Sequence, residues 1–408
     1  MSLSSRGGRA VFRFRDFRLY VIGRFLWGLA MQMQNVAIAW LVWDLTHDAF
    51  ALGLIGLSTF LPTVPLSLVT GAVADRFDRR RILVLTYALI TLGAVALCVL
   101  VYERLVWPIY LVVIALGACR AFSNPAGQAL MAATVPDEEF ASAAAWSNSG
   151  NQTANVIGPA LGGLLYPFGA MVPFTAALAC FVCATAAAFL IAPRPAKGRS
   201  KGPVTWSMLV AGYKYIWGCP VVMGAITLDL VAVLLGGATA LLPIFASEVF
   251  QTGPWGLGLL RSMPAIGSIL TAVVLAHYPL QERVGRTMFI CVFIYGFATI
   301  GFGLSTSIWP AMLCLAILGG ADVISIVIRS SLIQIETPDA MRGRVIAVHT
   351  ILTGTSNNLG DFESGTVASF IGAVPAVIVG GVGALLGAAI WIKLFPTLWN
   401  RNRLTSDG

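Results

Sequence analysis

The sequence predicts an all-α polytopic membrane protein with twelve transmembrane helices in two pseudo-symmetric six-helix bundles, and three observations predict it. Hydrophobic residues make up 58% of the 408 and charged residues only 11%, with a mean hydropathy of +0.84; a water-soluble domain carries about 25% charge. Apolar runs that reach the roughly 20 residues needed to cross a bilayer core recur from Phe17 almost to the C-terminus. The chain also repeats itself. VPDEEF at 135–140 aligns with TPDAMR at 337–342, and the same offset of 202 pairs Gly158 with Gly360 and Gly163 with Gly365. An offset near half the chain indicates a duplicated six-span unit.

The first apolar run, 17–43, has polar residues at its centre and no small-residue cleavage site, so it is retained as a span rather than removed as a signal. Further spans are predicted at 51–74, 82–102, 107–133, 141–166, 170–192, 221–248, 255–276, 287–306, 309–334, 344–369 and 373–394. PRPAKGRSKGPV, starting at Pro193, breaks the apolar pattern. It divides the chain into an N-terminal bundle (1–192), a cytoplasmic linker (193–219) and a C-terminal bundle (220–408). Within the linker, Trp206 to Trp217 is amphipathic and is expected to lie along the membrane surface, with Tyr213, Tyr215 and Trp217 at the interface.

Orientation follows from lysine and arginine, which are retained on the cytoplasmic side. Of the 26, this span assignment puts 21 on one face, including Arg6 to Arg18, Arg76 to Arg81, Arg194 to Lys214 and Arg401. Both termini are therefore expected in the cytoplasm. The net charge of +8 is then a topology signal with some attraction for anionic lipid, and no nucleic-acid partner is expected. The seven cysteines are scattered through the spans and the histidines, 47, 277 and 349, lie far apart. No metal site, cofactor, disulfide framework or catalytic triad is recognisable, which argues against an enzyme.

Charge concentrates at GAVADRFDRRRIL, residues 71–83, between the second and third spans. An acid at a helix end beside several arginines can hold one conformation and release it in another. This segment resembles the loop signature of the major facilitator superfamily. Gly71, Asp75, Arg76, Arg79 and Arg80 match its pattern as a conformational latch, with arginine in place of lysine and Asp78 where the pattern prefers glycine. A degraded echo, QERVGRTM, occupies 281–288. On the fifth span Gly158, Pro159, Gly162 and Gly163, in GPALGG, are similar to the antiporter motif of proton-coupled exporters in that superfamily. Physically, such glycines permit close helix approach and the proline frees a carbonyl. With LLPIFA at 241–246 and TPDAMRGRV at 337–345, the chain looks like the drug and siderophore exporter branch that includes enterobactin and macrolide exporters.

Polar residues within spans mark candidate function, because they are costly in lipid and survive by facing water or a partner. Gln32 and Asn35 on the first span share a face with Arg24; Arg120, Asn124 and Gln128 step by four on the fourth, and Asn148, Gln152 and Asn155 follow helical spacing on the fifth. Arg120 resembles the fourth-span arginine of proton antiporters. Arg24 is open to a second reading, in which it snorkels to the cytoplasmic surface. Thr353 and Asn357 continue into Asp361 on the eleventh span, with Glu363 close by. Asn, Gln and Thr at these positions are the expected cavity lining. Acids are the candidates for proton coupling, since burial favours the neutral form and an approaching arginine the charged one. Asp229 is placed first and Asp322 second, with Asp361 and Glu363 behind; Arg329, two helical turns after Asp322, is its expected partner.

The resemblance implies a monomeric secondary transporter of the bacterial inner membrane. It would move protons inward and a small amphiphilic molecule, a drug, siderophore or related metabolite, outward by alternating access, with the site near the midplane. Two other readings stay open: a facilitator or importer of a metabolite, and a receptor or assembly partner that kept the fold without transport.

Overall fold

The computed structural model describes residues 10–192, 206–278, 280 and 282–402, without the side chains of 64, 67–69, 71, 72, 74–76, 206–209 and 340. Six long helices come first: α1 (Arg15–Thr46), α2 (Ala49–Arg76), α3 (Arg79–Glu103), α4 (Trp107–Thr134), α5 (Phe140–Leu165) and α6 (Met171–Leu190). After α7 (Trp206–Gly218), the seventh expected span is discontinuous. It consists of α8 (Pro220–Leu235), a break at Gly236 and Gly237, a 3-10 turn (Ala238–Leu241), one turn α9 (Leu242–Ile244) and a π-helical turn (Phe245–Val249). Then come α10 (Gly253–His277), α11 (Val284–Leu304), α12 (Ile308–Glu336), α13 (Asp339–Ile371), α14 (Ala373–Leu394) and the short α15 (Pro396–Trp399). Among the described residues, 9 helices are long and apolar enough to cross a membrane. Three more, α2, α5 and α13, of 28, 26 and 33 residues, stand where the second, fifth and eleventh spans were expected.

The helix boundaries themselves repeat. Adding 202 to α4 gives 309–336, against Ile308–Glu336 for α12, and adding it to α6 gives 373–392, against Ala373–Leu394 for α14.

Packing divides the chain into two compact units. Unit 1 contains α3 to α6, α1 up to Ile38 and α2 from Leu61; unit 2 contains Ala39–Phe60 and the helices from α7 onward. Ala39–Phe60 joins unit 2 through backbone-level contact: a Cβ on Gly53 would lie 3.0 Å from the Phe362 carbonyl oxygen, and Trp43 Nε1 donates to Ser247 Oγ at 2.7 Å.

In unit 1, α3 packs against α4 and α6. Leu83, Tyr87, Ile90, Ala94 and Leu97, at three- and four-residue spacing, form its buried stripe. Leu85, Leu89 and Leu92 point the other way and are exposed, as lipid-facing side chains are. Asp78 explains its own departure from the loop pattern: it caps α3, accepting from the Arg80 amide at 3.0 Å, so a side-chain oxygen serves a helix start where glycine has none. The side chains of Gly71, Asp75 and Arg76 lie outside the described residues. Arg80 hydrogen-bonds the Phe189 carbonyl and lies over the Phe189 ring, tying α3 to the end of α6; Arg79 is half-buried.

Unit 2 is built on a core of Leu228, Met288, Phe289, Ile328 and Leu332, closed from the C-terminal end by Leu398 of α15. The chain beyond α15 completes the start of α11, where the Gly285 amide donates to the Arg401 carbonyl at 3.0 Å, and Arg401 also pairs with Glu336 at 2.7 Å. Helices α10 and α12 meet at backbone distance, Gly267 against Ala316 and Gly319 against Pro264, which only glycine permits at these two positions. Tyr213 and Trp217 of α7 are exposed, as expected of interfacial rings, whereas Tyr215 turns inward and donates to the Glu336 carbonyl.

Candidate functional site

The polar residues singled out above fall into separate clusters, each within one unit. In unit 1 the GPALGG helix is pressed onto α1. A Cβ on Gly158 would lie 2.5 Å from Gln32 Cβ, and one on Gly162 would lie 2.8 Å from the Met33 carbonyl oxygen. Pro159 and Gly163 are buried beside them. This closeness lets Gln32 Nε2 donate to Asn155 Oδ1 at 2.8 Å, while Asn155 donates to Gln152 at 3.1 Å and Asn35 to Gln32 at 3.3 Å. The motif thus holds an amide chain in register between α1 and α5. The repeat preserves the arrangement: Gly360 on α13 approaches Leu234 on α8, and 202 residues separate Gly158 from Gly360 and Gln32 from Leu234.

A Gly158→Val substitution is therefore expected to force α1 from α5 and cost about 1–3 kcal/mol by overpacking. Gly150→Ala, with nothing within 4 Å, should be silent. Thermal unfolding of the two purified variants compares them; equal melting would contradict the packing role of the motif.

Arg24 does not snorkel. It turns onto α4, donating from Nη2 to Asn124 Oδ1 at 3.1 Å, and its guanidinium lies 4.7 Å from the Trp27 ring centroid. Arg120 is within electrostatic range of Arg24, and no carboxylate pairs with either among the described residues. Asn124, Gln128, Asn148 and Gln152 are exposed. Amides at membrane depth are stable there only beside water or a polar ligand.

Unit 2 holds the acids. Asp229 on α8 forms an ion pair with Arg329 on α12, both at most 5% exposed at the side chain. The partner of Arg329 is thus Asp229, across two helices, and not Asp322 two turns away on its own helix; sequence spacing cannot see a cross-helix neighbour. Asp322 instead lines a small pocket with Asp229, Tyr295, Ser325 and Cys291. Arg329 is also within electrostatic range of Asp322, which is half-buried. Tyr295 donates to the Gly236 carbonyl at 3.2 Å, satisfying a group freed where α8 breaks.

Asp361 forms a second cluster. It accepts from Thr239 Oγ1 at 3.0 Å and lies within electrostatic range of Arg261. Glu363 accepts from Ser364 at 3.4 Å. Thr353 contacts His349 Nε2 at 3.4 Å, and Asn357 donates to its own helix at the Thr353 carbonyl, 3.1 Å away. Thr239, Arg261 and Tyr295 were absent from the sequence-derived site. The paired glycines at 236–237 were the available signal, because broken helices in transporters expose backbone where ligands and ions bind.

Comparison with known proteins bears on the family and the fold. A family model described as "Transmembrane secretion effector" matches residues 7–406. The enterobactin exporter EntS of Salmonella paratyphi A is 25% identical over 397 residues, covering 96% of this chain and 94% of the relative. EntS of Escherichia coli O81 is 26% identical over 379 residues, covering 91% and 89%. Among solved structures, a bacterial homologue of the human lysosomal transporter Spinster superposes with a TM-score of 0.75 at 13% identity, covering 94% of this chain and 98% of that one. A D-xylose–proton symporter gives 0.69 at 15%, covering 95% and 99%. The solved structures establish the fold alone.

Proposed function

The chain belongs to the transmembrane secretion effector family of major facilitator transporters, and from that premise we propose that it exports a small amphiphilic molecule in exchange for protons. It is a multi-pass protein of the bacterial inner membrane, and a transporter rather than an enzyme. The relatives named as enterobactin exporters favour a siderophore or related metabolite over other solutes. A monomer with both termini in the cytoplasm, surrounded by lipid and working by alternating access, fits the charge distribution and the repeat.

The observation that carries proton coupling is the cluster of Asp229, Asp322 and Arg329. A carboxylate out of water needs a counter-ion or a proton. Arg329 supplies the counter-ion to Asp229, which leaves the proton to Asp322, and this reverses the order of the two acids expected from sequence. When Asp322 loses its proton, two carboxylates compete for one guanidinium. That competition gives α8 and α12 a reason to rearrange, which is the coupling an antiporter requires. Asp361 with Arg261, and Glu363, stand behind this cluster as secondary candidates.

Inside-out vesicles with an acidic lumen should accumulate substrate, and collapsing both the pH gradient and the membrane potential should stop it. Counterflow of labelled solute without any proton dependence would point to a facilitator instead.

A further inference from the structure

Unit 1 places two arginines at membrane depth, and no acid pairs with either among the described residues. Arg24 lies nine residues into α1 and Arg120 thirteen residues into α4, fourteen from its end. No aspartate or glutamate occurs in α1 between Asp16 and Asp44, or anywhere in α4, α5 or α6; the only acid in α3 is its last residue, Glu103, and the only one in α2 is Asp75, whose side chain lies outside the described residues. Arg120 lies one helical turn before Asn124, which Arg24 contacts, and the two like-charged guanidinium groups are within electrostatic range of each other. Arg24 is held in place by Asn124 and by Trp27, whose ring stacks on Tyr87 at 5.7 Å. Its Nη1 is buried without a well-formed hydrogen bond among the described residues, and the Tyr87 hydroxyl lies beside the guanidinium.

The repeat sharpens the contrast. An offset of 202 carries Arg120 onto Asp322, Trp27 onto Asp229 and Gly127 onto Arg329. A Cβ on Gly127 would lie 3.7 Å from Arg24 Nη1, so Arg24 reaches toward the position that Arg329 fills in the other half. The positions that hold two acids and one arginine in unit 2 thus hold Arg120, Trp27 and Gly127 in unit 1, with Arg24 reaching the last of them from another position on α1. Uncompensated cations at that depth are costly, and guanidinium groups are well shaped to bind anionic oxygens.

We propose that Arg24 and Arg120 form an anion-binding site, and that the exported molecule is an amphiphilic organic acid whose anionic oxygens occupy it. The proposal rests on the exporter reading and gives it a substrate class. The exposed amides of Gln128 and Gln152 offer neutral donors to the rest of the molecule. The two halves then divide the work: the first neutralises substrate charge and the second carries the proton.

The test is equilibrium binding to the full-length protein in lipid nanodiscs, with empty nanodiscs subtracted, using labelled salicylate and its uncharged counterpart salicylamide. Saturable salicylate binding is expected, with salicylamide at least about tenfold weaker, as loss of charge-assisted hydrogen bonds implies. Arg24→Gln and Arg120→Gln should each weaken salicylate by a similar factor, while Arg120→Lys retains part of the affinity. Unfolding temperature and size-exclusion profile identify any variant that fails to fold, in which case Arg120→Lys and the salicylamide comparison still decide. Equal binding of the acid and the amide, or salicylate binding indifferent to both Gln variants, overturns the anion site. If salicylate binds as expected but no gradient drives export, the site stands and the exporter reading falls. If neutral amphiphiles are exported and salicylate does not bind, the reverse holds.

Discussion

Gradient-driven accumulation in inside-out vesicles is expected to fall to the gradient-free baseline when Asp322 is replaced by Asn. Asparagine keeps the shape of the protonated acid but cannot release a proton, so the carrier stays in one charge state of the cluster formed by Asp229, Asp322 and Arg329. Substrate exchange across the membrane, which needs no net proton movement, should persist in the same variant. The two assays together separate loss of coupling from loss of fold or binding. Undiminished uptake driven by an acidic lumen would remove Asp322 as the proton carrier and return attention to Asp229 and Asp361.

Removing the ion-paired acid should instead damage the fold. Asp229→Ala leaves Arg329, which is 2% exposed, as a buried cation without its partner. Breaking a buried pair from one side costs about 3–5 kcal/mol, whereas replacing both members by apolar residues of similar volume is often nearly neutral. The double substitution Asp229→Leu with Arg329→Leu is therefore expected to recover most of the stability lost in Asp229→Ala, while remaining inactive in transport. Thermal and denaturant unfolding of the three proteins in detergent measure this. If Asp229→Ala melts with the parent, the pair is not what joins α8 to α12 at this level.

Much of the fold was legible in the sequence because lipid imposes simple conditions. A segment without water must satisfy its backbone internally and be apolar over about 20 residues, and composition reports both. The repeat was visible for a similar reason. Gly158 and Gly360 sit where helices touch at backbone distance, and such positions tolerate no side chain. Hydropathy did not show the break at Gly236 and Gly237, because it averages over a window and the residues on either side are as apolar as a continuous helix requires; the glycine pair itself was the available sign. Ala39–Phe60 was likewise assigned by its place in the chain, while its packing with unit 2 depends on Gly53 meeting Phe362, 309 positions later.

The candidate site divides along the same line. By itself the sequence determined which residues are polar at membrane depth, since Arg24, Arg120, Asp229, Asp322, Arg329 and Asp361 each stand out against an apolar run. Which of them meet was decided only by the tertiary structure. Arg329 faces Asp229 on another helix rather than Asp322 on its own, Asp361 meets Thr239 beside the broken span, and Arg24 turns to Asn124 on α4. Burial is a property of one residue and its local run, and so can be read along the chain. Charge pairing depends on distances between helices that no local pattern encodes.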